Sequence, residues 1–129
     1  MTHRHAARLS SRGFHSYIIG GELKSSTEAI VGPEAISGLQ RYNFTKGFFG
    51  TNGISIKSGF STPEPGEGAI KSAAIARCKK TYILADSNKF NRIYPVTFAN
   101  LSVAAIITDV LTDRKYSDYT SIIEVNEEK

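Results

Sequence analysis

The clearest indication of the fold class is the run Thr81-Tyr82-Ile83-Leu84-Ala85. A continuous, largely apolar run of this length, followed by the acidic Asp86, is typical of a parallel strand buried on both faces. An earlier strand is predicted over Lys46 to Phe49. Between the two strands, Ser61-Thr62-Pro63-Glu64-Pro65 combines hydroxyl, acidic and proline residues that favour a helix start, and this helix is predicted to run to about Cys78. The order strand, helix, strand predicts an α/β unit.

Other segments continue this alternation along the chain. Further strands are predicted over Ser16 to Ile19, Val96 to Phe98, Ala104 to Thr108 and Ile122 to Val125, and helical turns over Arg4 to Ser11, Pro33 to Leu39 and Asp113 to Tyr119. The inner face of the central helix is predicted to consist of the small or apolar residues Ala69, Ile70, Ala73, Ala74 and Ala76. Strands alternating with helices predict an α/β domain with a mainly parallel sheet flanked by helices.

The topology of such a domain predicts where its ligand-binding groups lie. Right-handed crossovers place every loop that follows a strand at one edge of the sheet. Open α/β sheets bind their ligands at that edge. The relevant loops of this chain begin at Gly20, Gly50, Asp86 and Asp109. We therefore expect the functional residues to lie in or beside these loops.

Length and composition narrow the class of protein. The chain has 129 residues, 40% of them hydrophobic, which fits one domain with a hydrophobic core. Its longest apolar runs are far shorter than the roughly 18 residues needed to cross a bilayer, so no membrane partner is expected. The single cysteine, Cys78, excludes an internal disulfide, and no cysteine–histidine cluster is present that would hold zinc. We expect a cytoplasmic protein that binds neither a metal nor another cofactor.

The net charge of +4 raises the question of nucleic-acid binding. The sixteen lysine and arginine residues are spread along the sequence, however, and form no stripe on one predicted element. The charge is therefore weak support for a direct contact between this chain and nucleic acid.

The loop Gly50-Thr51-Asn52-Gly53 is a candidate phosphate site. Its glycines let backbone amides come close to an anion, and Thr51 and Asn52 add side-chain donors. The alternative interpretation is an ordinary glycine-rich turn, because a lone pair of glycines at this spacing is a weak signal.

Charged residues near this loop extend the candidate site. Glu67 and Lys71 lie one helical turn apart, and Lys89 follows the strand that ends at Asp86, so acids and cations could meet in the same crevice. Each has a simpler explanation, since Glu67 and Lys71 could form a solvated helix pair and Asp86 could cap a helix or form a turn. Thr108-Asp109 has the same alternative.

Six motifs have the order and spacing of a known family. They are YIIGGEL (Tyr17 to Leu23), VGP (Val31 to Pro33), FGTNGI (Phe49 to Ile54), GFSTPEPGEGAIK (Gly59 to Lys71), ADSNKF (Ala85 to Phe90) and IITD (Ile106 to Asp109). Together they resemble the C-terminal sensor domain of DeoR-type repressors over nearly the whole chain. The resemblance implies the fold that this family shares with ribose-phosphate isomerases and glucosamine-phosphate deaminases. It also implies a homo-oligomer and a phosphorylated sugar effector that releases the repressor from its operator.

The resemblance also implies which residues bind the effector. The positions that match the family's binding residues are Gly50, Thr51, Asn52, Gly53, Glu67, Lys71, Asp86 and Lys89. The positions that match its GGE turn, and are candidates for a further contact, are Gly20, Gly21 and Glu22. Members that control fructose or lactose uptake are the most similar, which makes fructose 1-phosphate the first effector candidate.

Catalysis is not expected at this site. The isomerases of this fold need carboxylates in the loop that corresponds to Thr51-Asn52-Gly53, because proton transfer beside a carbonyl requires a base. This chain has none there, so binding without turnover is the preferred interpretation. An isomerase-like enzyme that uses Glu67 or Asp86 as the base, and an oligomerisation fragment that binds no ligand, remain alternatives.

Two parts of the family pattern have no counterpart in this sequence. Family members begin with a winged helix-turn-helix and with a first strand and phosphate loop resembling Asp-Ser-Gly-Thr-Thr. We expect an N-terminally truncated reading frame or a fragment, in which DNA is reached only through a helix-turn-helix outside this sequence. A sheet edge left open by the missing strand would favour self-association.

Overall fold

The computed structural model describes residues 22–24, 29–31 and 37–125, the first two segments by their backbone alone. The strands are β1 (Glu22–Lys24), β2 (Ala29–Val31), β3 (Phe44–Gly50), β4 (Gly53–Ser55), β5 (Gly59–Thr62), β6 (Cys78–Leu84), β7 (Val96–Ala99), β8 (Ala105–Thr108) and β9 (Ile122–Glu124). One α-helix, α1, spans Pro65–Ile75, and short 3-10 helices span Ser87–Lys89, Leu101–Val103 and Arg114–Asp118. Residues 37–39 are helical as well.

The main sheet is parallel, in the strand order β3-β6-β8-β9. Each of its four strands lies close to a strand that the sequence predicted, because each is a short apolar segment bounded by polar or glycine residues. The predicted fold class, α/β with a mainly parallel sheet, is confirmed. β1 and β2 form a separate antiparallel pair.

A second sheet, antiparallel and in the order β4-β5-β7, was not predicted. The sequence predicted a strand over Val96 to Phe98 but gave no sign that it pairs with β5 rather than with the parallel strands. β4 and β5 form a hairpin with a turn over residues 56–58. Gly59, the first residue after this turn, has a φ of 75°, a conformation that favours glycine. These strands have three or four residues each, which is too short for a clear periodic pattern.

The hydrophobic core joins one face of the parallel sheet to α1 and to the antiparallel sheet. From the parallel strands it includes Phe49, Ile83 and Ile106, which are neighbours in register. The other layers contribute Ile54, Phe60, Ile70, Ala74 and Phe98, among others. This packing fixes the orientation of both sheets relative to α1 and therefore the position of the loops that leave them.

The prediction that Thr81 to Ala85 is buried on both faces is wrong. Ile83 is completely buried, whereas its neighbour Leu84 is 36% exposed. The opposite face of β6, which also carries the half-buried Tyr82, is only partly covered. Tyr82 stacks on Phe48 of β3 with ring centroids 5.1 Å apart, so aromatic packing within the sheet replaces part of the missing cover.

The central helix differs from its prediction at one end and on one face. Its start is as expected, with Glu64 as the N-cap accepting a hydrogen bond from the amide of Gly66 at 3.1 Å. It ends at Ile75, before the predicted Cys78, because the chain turns there to begin β6. Ile70 and Ala74 are buried as predicted, whereas Ala69 and Ala76, also predicted to face inward, are exposed. The other buried residues of the helix are Glu67, Gly68 and Ile75.

Several sequence predictions fall on residues outside the described part of the chain. These are the helix over Arg4 to Ser11, the strand over Ser16 to Ile19, the turn at Gly20 and Gly21, and most of the helix over Pro33 to Leu39. Among the described helices, none has the length and apolar character required to span a bilayer.

Candidate functional site

The carboxyl ends of β3, β6 and β8 bring three of the predicted loops to one edge of the sheet. Gly50 is the last residue of β3 and is the register partner of Leu84, the last residue of β6. Asp86 follows β6, and Asp109 follows β8, the next strand in the sheet. The loops that begin at Gly50, Asp86 and Asp109 therefore lie side by side, as the topology predicted. The loop at Gly20 lies outside the described residues.

Some polar groups of the Gly50-Thr51-Asn52-Gly53 loop already form hydrogen bonds within the protein. The Thr51 hydroxyl is buried and lies within donating distance of the carbonyls of Gly53, at 2.9 Å, and Ser61, at 3.1 Å. The backbone amide of Asn52 donates to Ser61 as well, at 3.2 Å. Thr51 therefore stabilises the loop against β5, and its single hydroxyl proton is already engaged.

Asn52 keeps a donor for a ligand. Its Oδ1 accepts a hydrogen bond from the Thr62 hydroxyl at 3.1 Å, which fixes the orientation of the side-chain amide. The NH₂ group of Asn52 makes no hydrogen bond with any residue in the described ranges, and the side chain is partly exposed. An oriented amide donor at the carboxyl edge of a sheet suits a phosphate or a sugar oxygen.

The two glycines of the loop differ in whether a side chain would fit in their place. A Cβ atom on Gly53 would lie 2.5 Å from the carbonyl oxygen of Arg92 and 2.9 Å from the Tyr94 ring, so only glycine fits there. A Cβ atom on Gly50 would meet no atom within 4 Å. Gly53 thus serves close packing against the segment that follows Lys89, whereas Gly50 borders open space at the crevice.

Lys71 ties α1 to the end of β3. Its Nζ donates to the carbonyl oxygen of Gly50 at 2.8 Å and lies 5.2 Å from the centroid of the Phe98 ring. Burial lowers the pKa of Lys71 below its usual value, and the negative charge of Glu67 acts in the opposite direction. An ammonium group has three donors, so Lys71 can hold Gly50 and still offer a hydrogen bond to a ligand.

Glu67 lies one helical turn before Lys71 and is only 7% exposed. Its carboxylate forms no hydrogen bond or ion pair with the residues that the structure describes, and its electrostatic interaction is with Lys71. The solvated helix pair that the sequence left open is therefore excluded by burial. A largely buried carboxylate beside a cation can accept hydrogen bonds from the hydroxyl groups of a ligand.

Asp86 directly precedes the 3-10 helix that follows β6, and Lys89 is the last residue of that helix. Asp86 occupies the N-cap position, but its side chain makes no capping hydrogen bond and is exposed. The backbone amide of Lys89 donates to the Asp86 carbonyl at 3.1 Å, and the Lys89 side chain is partly exposed. Asp86 and Lys89 are therefore near each other in the chain, beside the Gly50 loop. The Asp86 carboxylate does not cap the helix.

The sequence placed Asp109 at the start of a loop expected to hold functional residues, with a turn or a helix cap as the simpler alternative for Thr108-Asp109, and it did not reveal which groups Asp109 contacts. Its carboxylate accepts hydrogen bonds from the amide of Val110 at 2.8 Å and from the Thr108 hydroxyl at 3.1 Å. These bonds, with a smaller contribution from the amide of Ser87, hold the pKa of Asp109 below its usual range. Asp109 thus stabilises the turn at the end of β8.

Tyr116 is the second residue that the sequence did not reveal. Its buried hydroxyl lies 3.1 Å from the Ile54 carbonyl and 2.8 Å from Asn91 Oδ1, and it accepts a hydrogen bond from the amide of Asn91 at 3.2 Å. The amide of Asn91 also donates to the Ile54 carbonyl, at 2.6 Å. Burial raises the pKa of Tyr116. Tyr116 therefore fixes the segment after Lys89 against β4, and only its aromatic character could have suggested a core position.

These contacts describe a polar crevice rather than a metal centre. In the described part of the chain, no group of histidine, cysteine and acidic side chains is arranged to hold a metal ion. The ammonium and amide groups here can donate hydrogen bonds to an anion, and the carboxylates can accept hydrogen bonds from hydroxyl groups. Open α/β sheets as a class bind their ligands at this edge.

Comparison with known proteins gives the family. The family model described as the DeoR C terminal sensor domain matches residues 1–110 of the 129 residues. The chain therefore belongs to the DeoR C-terminal sensor domain family.

Named relatives of the chain are regulators. It is 36% identical over 115 residues to the uncharacterized HTH-type transcriptional regulator FruR of Bacillus subtilis. This alignment covers 89% of this chain and 46% of the relative. It is 35% identical over 111 residues to the HTH-type transcriptional regulator GlpR of Haloferax volcanii, covering 85% and 44%. It is 32% identical over 121 residues to the lactose phosphotransferase system repressor of Streptococcus mutans, covering 91% and 48%. The chain spans about half the length of these relatives.

Proposed function

We propose that this chain is the effector-sensing domain of a DeoR-type regulator of carbohydrate uptake, and that it binds a phosphorylated sugar without converting it. The observation that carries the proposal is the register pairing of Gly50 with Leu84, which sets the Gly50 loop beside the helix that bears Asp86 and Lys89. Family membership supports a sensor. Lys89 and the amide of Asn52 can donate to a phosphate group, and Glu67 and Asp86 can accept hydrogen bonds from sugar hydroxyl groups.

The residues of the crevice divide the recognition of such a ligand. Lys89 is partly exposed and is the cation best placed to bind the phosphate group. Asp86 accepts hydrogen bonds from sugar hydroxyl groups, and the oriented amide of Asn52 donates to the phosphate or to a sugar oxygen. Lys71 and Glu67 shape the floor of the crevice, because Lys71 holds the Gly50 carbonyl in place. Gly20, Gly21 and Glu22 remain candidates for a further contact.

The absence of an acid from Thr51-Asn52-Gly53 supports binding without turnover. An aldose–ketose isomerisation needs a base close to the carbon that loses its proton. The loop carries a hydroxyl group that is already engaged and an amide, neither of which is a general base at neutral pH. An isomerase would have to use Glu67 or Asp86, which remains the enzymatic alternative.

The names of the relatives guide the choice of effector. One relative is named FruR and another is a lactose phosphotransferase system repressor. We take fructose 1-phosphate as the first candidate and tagatose 6-phosphate as a comparison. A regulator of this type would act in the cytoplasm as a homo-oligomer and reach its operator through a helix-turn-helix.

A thermal-unfolding series tests the proposal. The chain is heated with fructose 1-phosphate, fructose 6-phosphate, tagatose 6-phosphate, ribose 5-phosphate or inorganic phosphate, as the native sequence, as Lys89→Ala and as Lys57→Ala. Lys57 is an exposed lysine in the β4–β5 turn and serves as the matched control. A ligand at about 100 times its Kd stabilises the fold by about 2.7 kcal/mol, which raises the Tm by several degrees. We expect that shift with one sugar phosphate, its loss in Lys89→Ala and its retention in Lys57→Ala.

Other results would favour the alternatives. Interconversion of an added sugar phosphate, followed by NMR and abolished by Asp86→Asn or Glu67→Gln, would establish an isomerase. Concentration-dependent association without stabilisation by any sugar phosphate would contradict the sensor proposal and support the oligomerisation fragment.

A further inference from the structure

The edge of the parallel sheet opposite the crevice carries a concentration of positive charge. We define the amino-edge basic surface by the cations that lie just before β3 and β6 or among the first three residues of these strands. They are Arg41, Lys46, Arg77, Lys79 and Lys80. In the sequence these cations looked scattered, because two separate segments contribute them. The parallel pairing of β3 with β6 brings the two segments together.

Lys46 and Lys80 form the centre of the surface. They are register partners on adjacent strands, and both are exposed. Neighbouring strands lie about 4.8 Å apart, and partner residues project from the same face. Like charges placed directly opposite each other in a sheet repel, which lowers stability. A partner that carries negative charge would remove this repulsion.

Arg77 fixes the geometry of the surface. Its Nε donates to the carbonyl of Tyr42 at 2.9 Å and its Nη2 to the side-chain oxygen of Asn43 at 2.8 Å. The amide of Phe44 in turn donates to the Arg77 carbonyl at 2.9 Å. The segment before β3 is thereby held against the start of β6, so the cations stand on a rigid frame.

The charge of this surface is not neutralised within the described part of the chain. None of its five cations forms an ion pair there. The acids of residues 37–125 lie mainly at the carboxyl edge, at the start of α1, after β6 and β8 and at the end of β9. The exception is Asp118, in the segment that leads to β9, and β8 separates that strand from β6. Among residues 37–125, no acid therefore neutralises the positive charge of this surface.

We propose that the amino-edge basic surface contacts the phosphate backbone of duplex DNA. Lys46 and Lys80 project from one face of the sheet, and Arg41 and Arg77 precede the same two strands. Such a group of cations can bind phosphates through charge, without a pocket for any particular side chain. Of the exposed large hydrophobic residues in the described ranges, only Tyr42 lies here, which speaks against insertion into a membrane interface. The chain belongs to a family whose relatives are HTH-type regulators, so DNA is close to it in such a protein. The surface lies at the sheet edge opposite the effector crevice, and this inference goes beyond the proposed function.

Salt-dependent DNA binding by matched variants tests the inference. Fluorescence anisotropy of a labelled duplex of arbitrary sequence is measured with the native chain, with Lys46→Gln/Lys80→Gln and with Lys57→Gln/Lys115→Gln. Both double variants lose two exposed lysines, so their net charge is equal. The slope of log K against log salt concentration changes by about 0.9 for each phosphate contact. We expect the slope to become shallower by about 1.8 in Lys46→Gln/Lys80→Gln and to stay near the native value in the control.

The proposal would be overturned if the slope of log K against log salt concentration became equally shallow in the two double variants. It would also be overturned if the native chain showed no salt-dependent DNA binding. Polyglutamate that displaces the chain from DNA as efficiently as unlabelled duplex of equal charge would overturn it too, in favour of an acidic protein partner. The Tm of Lys46→Gln/Lys80→Gln is expected to equal or exceed the native value, so unfolding would not explain lost binding. Its stabilisation by a sugar phosphate should be unchanged, which separates this test from that of the effector crevice.

Discussion

Tyr116 connects three segments of the molecule through one hydroxyl group. It contacts the carbonyl of Ile54 in β4 and both the amide and the side chain of Asn91. Asn91 has a φ of 63°, which is uncommon outside glycine but is tolerated by asparagine. Because Asn91 follows Lys89 closely, the Tyr116 hydroxyl helps to set the position of that lysine without touching a ligand.

Tyr116→Phe removes the hydrogen bonds of this buried hydroxyl, while the Ile54 carbonyl keeps the bond from the Asn91 amide. We expect the free energy of unfolding to fall by about 0.5–1.5 kcal/mol, measured by urea denaturation. The control is Tyr119→Phe, because Tyr119 is 51% exposed and its loss should change stability by less than about 0.5 kcal/mol. Equal effects of the two substitutions would show that the hydroxyl of Tyr116 contributes no stability of its own.

The residues of the site illustrate what a sequence can and cannot predict. The chain positions of the Gly50 loop, Asp86 and Lys89 followed from strand ends, which local patterns predict well. The partners of Thr51 and Lys71 did not, because the carbonyls that they contact belong to Ser61 and Gly50 and are brought near by tertiary folding. The role of Gly53 in packing against Arg92 was hidden for the same reason.

At the level of elements, the ends of β8 and β9 carry two acids that stabilise the folded state. Asp109 accepts hydrogen bonds from Val110 and Thr108, as described above. Glu124 accepts a hydrogen bond from the amide of Leu111 at 2.9 Å and pairs with Arg114 at 3.0 Å. The pKa of Glu124 is lowered first by the Leu111 amide and then by Arg114. Both strand ends are thus joined to the chain that follows β8.

The lowered pKa values of Asp109 and Glu124 predict a loss of stability in acid. The unfolded chain takes up these protons near the usual pKa values of 3.8 and 4.5, whereas the folded chain takes them up only at lower pH. Their stabilisation is therefore complete above these values and is lost as the pH falls through the folded pKa values. Asp109→Asn/Glu124→Gln should show a shallower fall of unfolding free energy with decreasing pH than the native chain. A parallel fall, measured by urea denaturation at a series of pH values, would contradict this assignment.

The elements themselves were predicted unequally. β3, β6, β8 and β9 were recognised because each is a short apolar segment bounded by polar residues or glycine. The antiparallel sheet was not, since β4 and β5 are too short to show a period and their pairing depends on a hairpin and on β7. The exposure of Leu84 also escaped prediction, because an apolar run does not show which of its faces another layer will cover.

At the scale of the whole molecule, the parallel sheet separates two kinds of surface. Its carboxyl edge gathers acids, an oriented amide and two lysines, while its amino edge gathers cations that form no ion pair with the residues that the structure describes. This separation follows from parallel pairing, which sets all strand starts at one edge and all strand ends at the other. One domain could in this way bind an effector at one edge and lie against DNA at the other. The homo-oligomer stays a prediction.

The measurement that tests the sensor proposal most directly is chemical-shift mapping by NMR. The ¹⁵N-labelled chain is titrated with fructose 1-phosphate, and the backbone amide signals are followed. The proposal predicts that the largest changes occur at Gly50 to Gly53 and at Ser87 to Lys89, with little change at Lys46, Lys79 and Lys80. Saturation with fructose 1-phosphate or another sugar phosphate that leaves the signals of both crevice segments unmoved would contradict the assignment of the effector site to the carboxyl edge of the sheet.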